Sequence, residues 1–407
     1  DAFDGDWAAR NKMNSNFARL EERIGNKVKS SHFVHTFNSL LPPDEYFDKH
    51  PEYYSKINGK RTAERSQLCL TNADVLQLAT EKVKQWIEEA PDATIFSVSQ
   101  NDGFGACECG SCMALDEREG NHSATMLNFV NQIAEAIEKD YPNVAIDTLA
   151  YRYTRKPPKT IRPRSNVIVR LCSIECCFSH PLESCEENAS FSDDIRGWSK
   201  ISDRLYVWDY VTNFHHYIQP FPNLYVLKPN IQFFINHGVK GIFEEGNRAP
   251  GGGGEFAELR AYLLAKLLWN PEYNVDTAIN EFLKGYYGKA SDLLQEYINM
   301  LHKKVRDKNI HINIYTNPDS RFLSKEILRQ ATDIFDQAER LVDNEEVLHR
   351  VRVARLPIQY VKLATNAVKG DERKKMIDQF FSVAEKEGIT QIREGHPILE
   401  FQKQLQE

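Results

Sequence analysis

Long apolar runs are missing from this chain. None approaches the roughly 18 residues that would cross a bilayer as a helix. A basic excess is missing too. The 407 residues carry 51 Lys and Arg against 58 Asp and Glu, a net charge of −7, whereas nucleic acid selects basic stripes; no nucleic-acid partner is expected. No Gly-rich dinucleotide fingerprint follows the first strand-like segment, which counts against a doubly wound nucleotide-binding sheet. Short repeats and low-complexity tracts are absent. No His-rich set accompanies the acids, so neither a catalytic metal nor a cofactor is expected. No signal peptide is visible, and the chain opens directly at Asp1.

What is present favours a large folded core. Hydrophobic residues make up 41% of the chain, with 22 Phe, 17 Tyr and 5 Trp. Strand-like and helix-like stretches alternate. His32–Phe37 reads as a strand that runs into Leu40-Leu41-Pro42-Pro43, where proline enforces a loop. Gln67–Leu70 reads as a short strand, followed by a helix that Thr71-Asn72 caps. Further strands are expected at Thr94–Ser99, Ala145–Tyr151, Val167–Cys172, Leu205–Trp208 and Val239–Phe243. Residues 123–139 form an amphipathic helix between two of them, and Gly251 to Gly254 precede a helix over 255–269.

Seven strands alternating with helices imply a parallel sheet. The expected fold is α/β, a (β/α)₈ TIM barrel over residues 1–275. Its first strand is absent, because Asp1 to Leu20 reads as a helix (Trp7, Met13, Phe17, Leu20). From 276 to 407 the chain reads as a helical region. Ile327, Leu328, Ala331, Ile334, Phe335, Ala338 and Leu341 keep a 3.6-residue period there.

A parallel barrel carries its site at the C-terminal ends of the strands. The residues in those places are His35 and Asn38, Asn101-Asp102-Gly103, Tyr151 and Arg152, Glu175, Trp208-Asp209-Tyr210 with Asn213, and Glu244-Glu245-Gly246-Asn247. Carboxylates thus end four strands, with aromatics and amides between them. Glycoside hydrolysis needs that mixture: one carboxyl protonates the leaving oxygen, and a second group acts as nucleophile, base or orienter of the substrate's acetamide. The candidate catalytic residues are Asp102, Asn101, Glu244, Glu175 and Asp209. Of Glu244 and Glu245, strand alternation turns only one inward, and Glu244 is the expected one. His35, Tyr151, Trp208, Tyr210 and Asn247 are the candidate substrate-binding residues.

All eight cysteines lie between residues 69 and 185. Cys107-x-Cys109-x₂-Cys112, with Cys69 as a fourth member, is compatible with disulfides, a structural zinc or free thiols.

Several segments resemble one family. They are His35-Thr36-Phe37 with Leu40-Leu41-Pro42-Pro43, His50-Pro51-Glu52-Tyr53, Gln67–Asn72, Gln100-Asn101-Asp102-Gly103, the Cys107–Cys112 cluster, Leu171–Cys177, Trp208-Asp209-Tyr210, Gly241–Glu244 and Leu263–Trp269. Over roughly residues 1–300 the chain resembles the domain of unknown function 4838 proteins, common in gut Bacteroidetes. Part of that group is glycoside hydrolase family 163. The resemblance implies an endo-β-N-acetylglucosaminidase that cuts the chitobiose core of complex N-glycans with retention, the substrate's own acetamide forming an oxazoline. It also implies export to the cell surface or periplasm, and an N-acetylglucosamine-containing oligosaccharide as partner. In that reading Asn101 and Asp102 divide the orienting and acid roles by position, with Glu244 as the rival acid. A more distant resemblance to family 67 α-glucuronidases implies an exo-glycosidase, for which Arg152, Arg155 and Arg170 would form a uronate pocket. The non-enzymatic alternative is a carbohydrate-binding protein on a degenerate barrel.

Overall fold

The computed structural model describes residues 5–11, 13–14, 28–247 and 253–406. Six strands form one sheet: β1 (Ser30–Ser31), β2 (Ile95–Ser97), β3 (Ala145–Ala150), β4 (Val167–Cys172), β5 (Leu205–Tyr210) and β6 (Gly241–Glu245). Their spatial order follows the chain, and every pairing is parallel. β3 and β4 are buried along their whole length, as parallel strands covered on both faces must be; that explains their mostly apolar composition, and the two buried charges, Asp147 and Arg170, pair with each other. Helix Ser123–Glu138 lies against both. Helix Ala73–Glu89 starts where expected, because the Asn72 side chain accepts from the Asp74 and Val75 N–H groups.

The sheet is strongly curled. In a flat sheet the four spacings from β1 to β5 would span about 19 Å. Yet Phe33, two residues after β1, stands 5.6 Å from the Trp208 ring on β5 and 5.3 Å from Phe243 on β6. The Arg170 guanidinium of β4 lies 4.9 Å over the same Phe33 ring. Phe33 therefore plugs a concave interior lined by alternate residues: Asp147, Arg170 and Cys172, Tyr206, Trp208 and Tyr210, and Phe243 and Glu245. At Gly241 a Cβ would stand 2.5 Å from the Tyr206 ring, so the closest approach of β5 and β6 leaves no room for a side chain.

This is a half-barrel of six strands. Among the described residues β1 and β6 each pair on one side only, so the expected closed eight-stranded barrel is not formed by them. Two expected strands also change. Gln67–Leu70 makes a single bridge, Tyr54 to Leu68, and joins no sheet. Its contacts run through the Gln67 side chain, which accepts from the Asn101 N–H (2.8 Å) and donates to the Asn101 and Phe104 carbonyls (both 3.1 Å). Four apolar residues are too few for periodicity to separate a strand from a packed loop. The strand expected at His32–Phe37 sits earlier, at Ser30–Ser31. Left-handed backbone at His32 (φ 52°) and His35 (φ 56°) ends the extended run, and Phe37–Leu40 is helical. At the N-terminus Gly5–Arg10 is helical as expected, whereas Phe17 and Leu20 lie outside the described residues.

After β6 come helices Ala257–Trp269, Val275–Tyr287, Ser291–Asp307, Lys325–Leu341, Glu345–Ala364, Gly370–Glu387 and Ile398–Gln406. The periodic residues of Lys325–Leu341 are buried except Leu341, which is exposed at the helix end. Residues 310–316 run along the loops that follow β4 and β5. Phe178 N–H donates to the Ile312 carbonyl (2.7 Å) and Phe214 N–H to that of Ile314 (2.9 Å).

Candidate active site at the strand ends

The loop after β2 carries Asp102 on an exposed turn that Gly103 completes with φ 108°. Its Oδ1 accepts from the Tyr151 hydroxyl at 2.9 Å, and Tyr151 directly follows β3. Burial raises the Tyr151 pKa, so this phenol is a standing donor at any physiological pH. His35 packs beside it, with ring centroids 5.9 Å apart, and its Nδ1 is 2.8 Å from the Gln100 carbonyl. Arg152 lies over the rings of Tyr151 and Phe104, at 5.1 and 5.4 Å. Its φ of 52° is left-handed, and its buried Nε has no hydrogen-bond partner among the described residues. Phe104 is 60% exposed beside these groups, an aromatic surface that the sequence reading passed over.

The opposite flank is built by β5 and β6. Trp208 and Tyr210 share the interior face, because strand side chains alternate. The Trp208 indole N–H donates to Glu245 Oε2 at 2.8 Å. Burial raises the Tyr210 pKa, and Cys172, Glu245, Tyr151 and Tyr315 all lie within electrostatic reach of its hydroxyl. Tyr151 and Glu245 thus both lie near Tyr210. Tyr315, from the segment after the helices begin, packs on His215 with centroids 4.7 Å apart and faces Arg152 and Asp102. Asn247 follows β6; a Cβ at Gly253 would lie 3.1 Å from its Nδ2.

The expected convergence of Asp102, Glu175, Asp209 and Glu244 at one mouth does not occur. Asp209 and Glu244 are register partners on the face opposite Trp208, Tyr210 and Glu245. Asp209 accepts from the Ser173 hydroxyl at 2.5 Å, and Glu244 Oε2 is buried without a hydrogen-bond partner among the described residues. The inward acid is Glu245, because the curl that turns Trp208 inward turns Phe243 and Glu245 with it. Glu175 is exposed and ion-paired with Arg155 (2.5 Å), which also holds Asp194 (2.7 Å). Asn101 spends its amide on the framework. Nδ2 donates to Asn38 Oδ1 (2.9 Å) and the Ser66 carbonyl (3.0 Å), while Oδ1 accepts from the Asn38 N–H (3.0 Å). It shapes the loop and has no donor left for a ligand. Asn213 likewise caps its own turn through the His215 and His216 N–H groups. Of the three arginines, Arg170 is buried against Asp147 (3.2 Å) and Arg155 is engaged on the far side, so Arg152 alone faces the site.

Two carboxylates packed together out of water leave a titration signature. Burial pushes Asp209 up to about 6, against the Ser173 hydrogen bond; burial and then the Asp209 charge hold Glu244 well above the ordinary range. Both folded values exceed the unfolded ones, so the folded state holds the extra proton. Its stabilising effect is complete below about pH 4 and is lost as pH rises through about 6 and beyond. Glu244→Gln should remove much of that loss. Urea midpoints of the two proteins at pH 5, 7 and 8 test it: an equally steep fall in the variant would show that the pair shares no proton.

The four thiols of Cys69, Cys107, Cys109 and Cys112 lie within 4.8 Å of one another, and no disulfide joins them. Cys69 Sγ and Cys109 Sγ are 3.6 Å apart, close to the edge of about 3.8 Å that a tetrahedral zinc thiolate requires at Zn–S of about 2.3 Å. Arg61 donates to Cys107 Sγ at 3.5 Å. The set can hold a zinc ion as a closed site, tying the segment at Cys69 to residues 107–112, with the Lys56–Arg61 hairpin donating to Cys107 Sγ.

A concavity of about 380 Å³ lined by Asp276, Asn280, Lys284, Gln295 and Asn299 lies on the helical region and contains none of the strand-end groups.

Comparison with known proteins places residues 1–299 in a match to the family described as "Domain of unknown function (DUF4838)". No curated protein matches the chain in sequence. Among solved structures the chain is similar to a GH138 enzyme targeting pectin rhamnogalacturonan II, at 11% identity and a TM-score of 0.34, covering 94% of this chain and 56% of that one. It is also similar to a family 89 glycoside hydrolase from Clostridium perfringens in complex with its substrate GlcNAc-alpha-1,4-galactose, at 13% identity and a TM-score of 0.44, covering 84% and 38%. For the Clostridium perfringens family 89 enzyme in complex with PUGNAc the values are 12%, 0.40, 77% and 35%. The chain therefore spans between about a third and just over half of the length of these structures.

Proposed function

The chain belongs to the family of the domain of unknown function 4838, and from that premise we propose that it is a glycoside hydrolase, an endo-β-N-acetylglucosaminidase of the retaining, substrate-assisted kind. The observation that carries this reading is the concave strand-end face. It presents two carboxylates, Asp102 and Glu245, each held by a neutral donor, with the Tyr151 and Tyr210 hydroxyls near them. Phe104, exposed beside Arg152, supplies an aromatic surface that a sugar ring can stack on, and the buried rings of Trp208 and Tyr210 form the wall behind the carboxylates. Glu245 protonates the leaving glycosidic oxygen. Asp102, oriented by the Tyr151 hydroxyl, accepts the N–H of the 2-acetamido group and drives its oxygen onto C1, closing an oxazoline. The Glu245 carboxylate then takes a proton from the water that reopens it, and retention follows from two inversions. Complex N-glycans cut in their chitobiose core are the proposed substrate, and the cell surface or periplasm the proposed place of work.

The test is incubation with a glycoprotein bearing complex N-glycans, read by mass spectrometry. The expected products are free glycans ending in one N-acetylglucosamine and a protein retaining the other. Cleavage confined to terminal sugars would replace this reading with an exo-glycosidase. Glycan binding without any cleavage would leave a carbohydrate-binding half-barrel.

A further inference from the structure

Four other side chains meet where the helical region touches the strand-end loops. Cys177, His180 and Cys185 belong to the loop after β4, and His311 reaches them from 126 residues beyond Cys185. One ligand atom from each lies within 4.8 Å of all the others. Cys177 Sγ is 3.4 Å from His180 Nδ1, and Cys185 Sγ is 3.5 Å from His311 Nδ1. A tetrahedral zinc with Zn–S of about 2.3 Å and Zn–N of about 2.0 Å has sulfur–nitrogen edges of about 3.5 Å. Both cysteines are buried, and His180 Nε2 is buried without a hydrogen-bond partner among the described residues. Glu187 Oε2 stands 3.4 Å from the same His311 Nδ1, which adds negative charge beside the four groups, and the other ring nitrogen, Nε2, lies 3.4 Å from Asn309 Nδ2.

We propose that Cys177, His180, Cys185 and His311 form a structural zinc site of the Cys₂His₂ type, separate from the four-cysteine set. Four protein ligands close the coordination sphere, so its role is to hold the fold and not to activate water. What it holds is specific. The same two segments are already laced together by Phe178 N–H to the Ile312 carbonyl (2.7 Å) and Ser179 Oγ to the Ile310 carbonyl (2.8 Å). Four residues beyond His311 the chain delivers Tyr315 to His215 and Arg152 at the concave face. Zinc here clamps the helical region to the strand-end loops and fixes the position of Tyr315.

The ligand types separate the two sets in experiment. X-ray absorption at the zinc edge of the full chain, purified without chelator, should show imidazole scattering together with sulfur, because the four-cysteine set contains no histidine. Elemental analysis should find one equivalent less zinc in His311→Ala than in wild type. Cys112→Ser should lose its own equivalent while keeping the imidazole signal. The proposal is overturned by a sulfur-only shell, by wild-type zinc content in folded His311→Ala, or by a Cys177–Cys185 disulfide in the purified protein. The spectrum of the wild type decides the matter even where a variant does not fold.

Discussion

Glu245→Gln should lower kcat on a glycoprotein substrate by at least about 100-fold, the lower end of what a general acid contributes. The change is nearly isosteric. The Trp208 indole N–H, 2.8 Å from Glu245 Oε2 in the wild type, can donate to the Gln carbonyl oxygen, so the wall should keep its shape. What is lost is the proton. The loss should therefore shrink on aryl glycosides, whose acidic leaving groups depart without protonation. Glu244→Gln is the matching control, because Glu244 lies on the opposite face of β6 and has no substrate contact to lose, so kcat of the folded variant should stay near wild type. The reverse pattern, a dead Glu244 variant beside an active Glu245 variant, would mean that β6 is turned the other way in the working enzyme.

Asp102→Asn should also cost at least about 100-fold, but with a different dependence on substrate. Asn can still accept from the Tyr151 hydroxyl, so the hydrogen bond of 2.9 Å need not break. Its amide, however, would present a donor where the substrate's N–H needs an acceptor. The deficit should persist on every N-acetylglucosamine substrate, including those with activated leaving groups. Kinetics of the two variants on one natural and one aryl substrate distinguish orienter from acid. Near-wild-type rates for Asp102→Asn on both would remove this loop from the mechanism. Tyr151→Phe supplies a graded version: the carboxylate remains but loses its donor, and a smaller deficit is expected.

Much of this arrangement was legible beforehand. The parallel sheet followed from alternating strand and helix patterns, and β3 to β6 lie within a few residues of where β-branched and aromatic runs placed them. Asp102, Tyr151, Trp208 and Tyr210 stand at strand ends as expected. The sulfur cluster could be read as a set, since three of its members lie within six residues of sequence.

Local pattern could not assign direction. A period of two divides Trp208, Asp209 and Tyr210 into two faces, but which face is concave depends on the curl of the whole sheet, which Phe33 marks by packing on β4, β5 and β6 from inside. The choice of Glu244 over Glu245 failed for that reason. For Asn101 and Glu175 the structure adds something else that local pattern does not carry: their polar atoms are engaged by partners far away in sequence, Asn38 and Ser66 for the first, Arg155 for the second. Long-range packing likewise brings His311 to the Cys177–Cys185 loop and Tyr315 to the strand ends. Sequence by itself determined which residues occupy strands, helices and loops, because side-chain period and capping act over a few residues. The tertiary structure alone decided which acids lie on the concave face and which ligands meet, because curvature and packing couple residues more than a hundred positions apart.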